Sequence, residues 1–297
     1  MDGLTFGYWG FLSLLVLVFH ENLRGWEFYI LKHGALMGGL LCLLWGAVRT
    51  QNRIFIFLRN TYPLLLMPIT YRAAGLLVHL TGVRWIDPYL ITLDLRMFGV
   101  YPSVWLGQKG QSHIVLTEYM NFFYASYYLL VALFGGWLCI RRQIRALDDF
   151  ATAVSLSFYT SCLLFILLPA QGPRFTLSYL GAHQQPGWFF TRMVNFIMDT
   201  EAFQGCAFPS SHIAVAVVIL LSAWHGTPRL RWIIALAVTS LSVATVYGGY
   251  HYVMDVLAGI TVGVGGYVLA QRIQRGWYAR SALIREQRRK PCCKNRR

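Results

Sequence analysis

The sequence predicts an all-α fold: a polytopic bundle of membrane-spanning helices, with a six-helix core over about 61–272 and one or two further helices ahead of it. Three observations predict it. Hydrophobic residues fill 56% of the 297 positions and charged residues only 13%, where a soluble domain carries roughly 25% charged residues. Apolar runs recur at about the 20 residues that cross a bilayer. Lysine and arginine cluster in every second connection between those runs.

The apolar runs are 6–20, 28–48, 61–80, 114–140, 149–169, 210–225, 231–248 and 252–272. The first is short for a span and fits either a tilted helix or one lying in the interface. The N-terminus lacks the basic region that precedes a cleavable signal peptide, so none is expected. The whole of 1–272 forms one transmembrane domain, with extra helices over 6–48 and the core over 61–272. A basic tail over 273–297 follows, and there is no room for a second large soluble domain.

The net charge of +14 is not spread as a nucleic-acid surface would spread it. It gathers in the tail and in short connections: Arg49, Arg53 and Arg59, then Arg141, Arg142 and Arg145, then Arg229 and Arg231. These connections are assigned to the cytoplasm, as is the C-terminus. Connections 81–113, 170–209 and 249–251 then share the opposite, non-cytoplasmic face. The first of them holds Trp85, Pro88, Tyr89, Pro102 and Trp105, which suits an interfacial or re-entrant helix. Gly172, Pro173, Gly181, Pro186 and Gly187 punctuate the second. The six cysteines show no zinc spacing, and no disulfide is expected; Cys292-Cys293 reads as an inert pair in the tail, with acylation as the alternative.

Three groups of residues arrive at that opposite face. Gln171-Gly172-Pro173-Arg174 follows the run 149–169 and offers a guanidinium fork matched to phosphate oxygens. Pro209-Ser210-Ser211-His212 opens the run 210–225. Proline belongs in the first turn of a helix, and the free N–H groups there attract anions. His251 and Asp255, four apart at the start of 252–272, share one helix face. A carboxylate there fixes the imidazole tautomer and makes the other nitrogen the better nucleophile, although a clasp between two helices needs no more than the same pair. Together the groups supply a cation clamp, an anion cradle, a nucleophile and an acid, which is what phosphoryl transfer requires.

These residues resemble the signatures of the type 2 phosphatidic acid phosphatase superfamily, K-x6-R-P, P-S-G-H and S-R-x5-H-x3-D. Ser211 stands in place of the glycine, and proline precedes Arg174 instead of following it. The expected lysine falls at Leu167 and the expected arginine at Thr245. With those two cations gone, the Gly-Pro-Arg, Phe-Pro-Ser-x-His and Tyr-His-Tyr-x-x-Asp stretches are similar to the inositol phosphorylceramide synthase-like branch. The stretch Leu93-Asp94-Leu95-Arg96 is similar to a segment of that branch as well, and no chemistry attaches to it.

The resemblance implies roles. His251 is the nucleophile that becomes a phosphohistidine, Asp255 orients it, and His212 protonates the leaving oxygen. Arg174, Gly172, Ser210 and Ser211 hold the phosphoryl oxygens. Neither metal nor cofactor is implied. The expected function is transfer of a phosphoryl or phospho-headgroup from a phospholipid donor to a lipid or polyol alcohol. The alternatives are hydrolysis of a lipid phosphate, and proton or ion transport, for which a site near the midplane would be expected. The missing cations favour transfer, because a phosphodiester carries less charge than a monoester, unless Arg84, Arg96 or Arg192 substitutes for them. The aromatic residues Tyr119, Phe122, Phe123, Tyr124, Tyr127 and Tyr128 either pack or line a lipid cavity, with packing the plainer reading.

Overall fold

The computed structural model describes residues 1–50, 52–180, 186–201, 203–226 and 229–289. Gly181, His183 and Cys292-Cys293 lie outside the described residues. Helices dominate throughout. The N-terminal pair is α1 (Asp2–Val18) and α2 (Trp26–Thr50). Next come α3 (Arg53–Leu65), α4 (Met67–Leu76), α5 (Asp87–Phe98) and α6 (Pro102–Gly110). The long helices α7 (Ile114–Ile140) and α8 (Ile144–Leu167) follow, then the single turn α9 (Pro173–Thr176) and α10 (Phe189–Glu201). The chain closes with α11 (Ser211–Gly226), α12 (Arg231–Tyr247) and α13 (Val253–Arg289).

Four helices among the described residues are long and apolar enough to cross a membrane: α2, α7, α8 and the Val253–Arg280 part of α13. Helices α1, α11 and α12 are apolar but shorter. Helix α8 is the axis of the bundle. It packs against α13, α11, α4, α3 and α7, and α1 reaches it as well. Its inward face is the run Phe150, Ala151, Ala153, Val154, Phe158, Cys162, Phe165 and Ile166, all buried.

Helices α1 and α8 start four and five residues before the runs 6–20 and 149–169, and two other expected boundaries move further. The run 61–80 is not one helix but the pair α3 and α4, broken at Leu66. Pro63 lies inside α3 and Pro68 in the first turn of α4. A proline lacks the N–H of the i→i−4 ladder and its ring crowds the carbonyl one turn back, so two prolines five residues apart end one helix and start the next. The last span also runs past 272, and the beginning of the basic tail continues α13 to Arg289. Gln274 secures that extension by donating from Nε2 to Asp148 Oδ2 at 3.0 Å and to Thr152 Oγ1 at 2.8 Å.

Helices α11 and α13 lie unusually close because α13 carries glycine where they cross. A Cβ on Gly259 would sit 2.5 Å from the Ser210 carbonyl oxygen, and one on Gly263 would sit 2.5 Å from that of Ala214. Small residues four apart let two backbones approach in this way. The approach sets the start of α11 beside the start of α13, and with it His212 beside His251.

Candidate active site

The three sequence groups meet at one end of the bundle, stitched together by backbone hydrogen bonds. Arg174 N–H donates to the Gly249 carbonyl at 2.7 Å, which ties the first group to the third. Ser210 N–H donates to the Asp255 carbonyl at 3.0 Å, which ties the second to the third. Ala170 forms isolated β-bridges with Gly205 and Cys206, joining the loops that lead into the first two groups. Gly172 adopts φ +92°, and a Cβ there would meet the Tyr250 carbonyl oxygen at 2.8 Å, so only glycine lets the loop lie against the turn.

Two buried carboxylates fix this frame. Asp87 Oδ2 accepts from Gln171 N–H, and its Oδ1 accepts from Gly172 N–H and from the Tyr252 hydroxyl, all at 2.9 Å. Asp94 accepts from Val253 N–H at 3.0 Å and Met254 N–H at 3.2 Å. These are the first two amides of α13, which no carbonyl of the helix itself can serve. Burial pushes the Asp94 carboxyl up, and the two amides pull it back toward the ionised form. The Leu93-Asp94-Leu95-Arg96 stretch, which had no chemistry in the sequence, is therefore the cap of the helix that carries Asp255.

Asp255 occupies the third position of α13. Its Oδ2 accepts from Tyr252 N–H at 2.8 Å and faces His251 Nδ1 at 3.3 Å. Its Oδ1 is buried with no partner among the described residues. His251 is 4% exposed and Asp255 fully buried. Burial lowers the His251 imidazole from its ordinary 6.5 to about 4, against the opposing pull of a hydrogen bond with the Ala207 backbone. The ring is therefore neutral at neutral pH, the state in which imidazole has a lone pair to give.

His212 stands opposite, its ring centroid 5.8 Å from that of His251. Tyr127 and Tyr124 flank it at centroid distances of 4.5 and 5.3 Å, and Tyr128 stands edge-on at 6.2 Å. Its Nε2 faces the Tyr124 hydroxyl at 3.5 Å, while its buried Nδ1 has no partner among the described residues. Buried polar atoms left this way are rare and need a reason, and catalysis is one.

The expected phosphate cradle is only partly free. Helix α11 begins at Ser211, so Pro209 precedes the helix instead of sitting in its first turn. Ser210 is the cap, with its Oγ accepting from Ile213 N–H at 3.4 Å and its own N–H taken by Asp255. The Gly172 amide is taken by Asp87. Ser211 and His212, whose amides begin the helix, are the residues of this group that line the cavity in front of the histidines. Arg174 lines the same cavity and pairs with Asp199 of α10 at 3.0 Å. Arg84, Arg96 and Arg192 do not line it, so Arg174 is its guanidinium among the described residues. No group of three or more His, Cys, Asp or Glu side chains with metal-binding geometry occurs among the described residues.

The carboxylates of Asp87, Asp94, Asp199 and Glu118 carry no local signal of their roles in the sequence. Glu118 accepts from the backbone N–H groups of Trp188, Phe190 and Thr191 at 2.6–3.0 Å and so anchors the start of α10. The sequence offers the α7 tyrosines as packing or as the lining of a lipid cavity, and Tyr124, Tyr127 and Tyr128 both line the cavity and wall in His212. A carboxylate that serves amides far along the chain leaves no local pattern to find.

Residues 89–269 match the PAP2 superfamily, a stretch that contains the cap, both histidines and the arginine loop. The chain belongs to the PAP2 superfamily. This PAP2 chain is also similar to a PA-phosphatase related-family protein of Dictyostelium discoideum, at 24% identity over 72% of the chain and 46% of that protein. It thus spans about half the length of this curated relative. No solved structure matches it.

Proposed function

We propose that the protein is an integral-membrane lipid phosphotransferase that works through a phosphohistidine, as in the inositol phosphorylceramide synthase-like branch. The observation that carries this reading is the pair of facing imidazoles over one cavity, one of them backed by a buried carboxylate. The His251 nitrogen that Asp255 does not hold attacks phosphorus. The bond to the donor's oxygen breaks, and His212, protonated, gives that oxygen its proton. In the second step His212, now neutral, takes the proton of an acceptor hydroxyl. The new oxygen–phosphorus bond forms as the nitrogen–phosphorus bond breaks, and both histidines return to their starting states. Arg174 and the first amides of α11 hold the phosphoryl oxygens, where charge changes most. Arg174 is released by Asp199 as the substrate arrives.

A single guanidinium in a largely apolar cavity supports a singly charged phosphodiester donor and a lipid or polyol alcohol as acceptor. Hydrolysis is the second reading, favoured by the name of the Dictyostelium relative; the same steps run with water as acceptor. The distribution of basic residues supports an active end on the non-cytoplasmic face and a cytoplasmic C-terminus.

Purified protein in detergent, incubated with phosphate-labelled phospholipids and an alcohol acceptor, tests the proposal. The expected result is acid-labile label on His251 and a new phosphodiester lipid. Labelled phosphate, free or still esterified to the headgroup, released to water without transfer would move the function to hydrolysis. Full turnover by His251→Ala would remove the histidine from the mechanism altogether.

A further inference from the structure

The cavity that holds Arg174, His212 and His251 does not stop at the histidines. It has a volume of about 720 Å³ and continues along one face of α7 past Tyr128, Val131, Ala132, Gly135 and Gly136 to Cys139. From Tyr124 to Cys139 a helix rises about 22 Å, at roughly 1.5 Å per residue. Half the hydrocarbon thickness of a bilayer is only about 15 Å. The channel is therefore deeper than one leaflet, and its far end lies beside the basic turn at Arg141 and Arg142. The facing wall comes from Leu64 and Leu65 on α3, Met67 and Tyr71 on α4, and Phe158 on α8. The break between α3 and α4 falls in this wall.

The lining beyond the tyrosines is apolar, and its floor is built from small residues. A Cβ on Gly136 would meet nothing within 4 Å, whereas one on Gly135 would come within 3.1 Å of Leu64. The space in front of Gly136 is thus open channel, not packed core. Phe57 and Leu65 line the cavity and are also 53% and 59% exposed, which opens its flank between α3 and α7 toward the surrounding lipid.

We propose that this channel seats one hydrocarbon chain of the lipid phosphate ester, with the phosphate between His212 and His251 and the chain end against Gly135, Gly136 and Cys139, so that Gly136 limits the chain length accepted. A second chain, where the lipid has one, leaves through the flank between α3 and α7. The proposal rests on the phosphotransfer reading of the histidines. The depth selects chains longer than one leaflet accommodates, whether acyl or isoprenoid. Each methylene that the channel covers improves binding about fourfold, and each one it can no longer hold forfeits as much.

Two measurements test this on the full-length protein in detergent. The first is turnover of a homologous series of n-alkyl phosphodiesters from octyl to eicosyl, all with one polyol headgroup, with an isoprenyl phosphodiester of the same headgroup in parallel. Wild-type kcat/KM should climb with chain length until the channel is full. Gly136→Leu should lower turnover of the longest esters by tenfold or more relative to that of the octyl ester. Ala132→Phe, nearer the histidines, should bring the cut-off to shorter chains. A uniform loss at all lengths, or none, would overturn the proposal, and a higher plateau for the isoprenyl ester would identify the chain as isoprenoid. The second measurement needs no turnover: a long alkyl phosphate with a photoreactive group at its terminal carbon should label residues 135–139. Label confined to the outer faces of α2 or α12 would overturn the channel even if the histidines turn over every ester. Label at 135–139 without turnover would uphold the channel and sink the chemistry.

Discussion

Asp94→Ala isolates the cap of α13 from the chemistry it supports. Asp94 touches no part of the cavity, so any loss of rate must travel through the helix. The substitution strands the N–H groups of Val253 and Met254, which Asp94 serves at 3.0 and 3.2 Å. Each stranded amide costs about 1–3 kcal/mol when buried. Both residues are half-buried, which places the sum near the lower end, at about 2 kcal/mol. Losing a negative charge at a helix N-terminus adds roughly 0.3–1 kcal/mol. A total of about 2–3 kcal/mol loosens the first turn of α13, where Asp255 holds His251. A shift of about 1 Å at a reacting group can cost on the order of a hundredfold in rate. We expect kcat to fall about that far with KM little changed, and Asp94→Asn, which keeps one acceptor oxygen, to fall between the variant and the wild type. The assay is initial-rate kinetics on a lipid phosphate ester, with thermal unfolding in the same detergent. A fully active Asp94→Ala protein, or equal loss in the alanine and asparagine variants, would refute the capping argument.

Asp255→Asn should keep the fold but present an N–H toward His251 Nδ1 and so invert its tautomer; turnover should drop by roughly three to four orders of magnitude, and a loss below tenfold would remove Asp255 as the orienting group. Asp199→Asn frees Arg174 from a pair that is 29% and 69% exposed. Exposed pairs contribute about 0–1 kcal/mol, so stability should stay level while KM for an anionic lipid falls by up to about fivefold; an unchanged KM would show that the pair does not compete with substrate. His251 supplies the pH dependence. Folded, it stays neutral down to about pH 4, whereas the unfolded chain takes up a proton near 6.5. The unfolded state binds more protons between those values, so the stability contributed by His251 is complete above 6.5 and is lost as pH falls toward 4. The acid limb of kcat/KM should lie near pH 4, and His251→Asn should flatten the loss of thermal stability across that window.

Much of this protein was legible in its sequence. The apolar runs matched helices at α2, α7, α11 and α12 to within two residues, because hydrocarbon demands length and hydrophobicity and nothing subtler. The break in 61–80 carried its own signal in Pro63 and Pro68, and an unbroken apolar count concealed it. His212, His251 and Asp255 were recognisable because their spacing is local: a cap before a helix, and a pair four apart on one face. The sequence by itself determined the helices, the ends on which polar groups cluster and the residue types available for phosphoryl chemistry. Only the tertiary structure decided which groups are free to act. It committed the amides of Gly172 and Ser210 to Asp87 and Asp255, set Asp199 against Arg174, and turned Asp94 into a cap for a helix that starts 159 residues later. It also converted a row of tyrosines and glycines on α7 into the wall of a channel. Such pairings join segments far apart in the chain, and a buried hydrogen bond is chosen by which donors the packing leaves unserved, a property no local pattern carries.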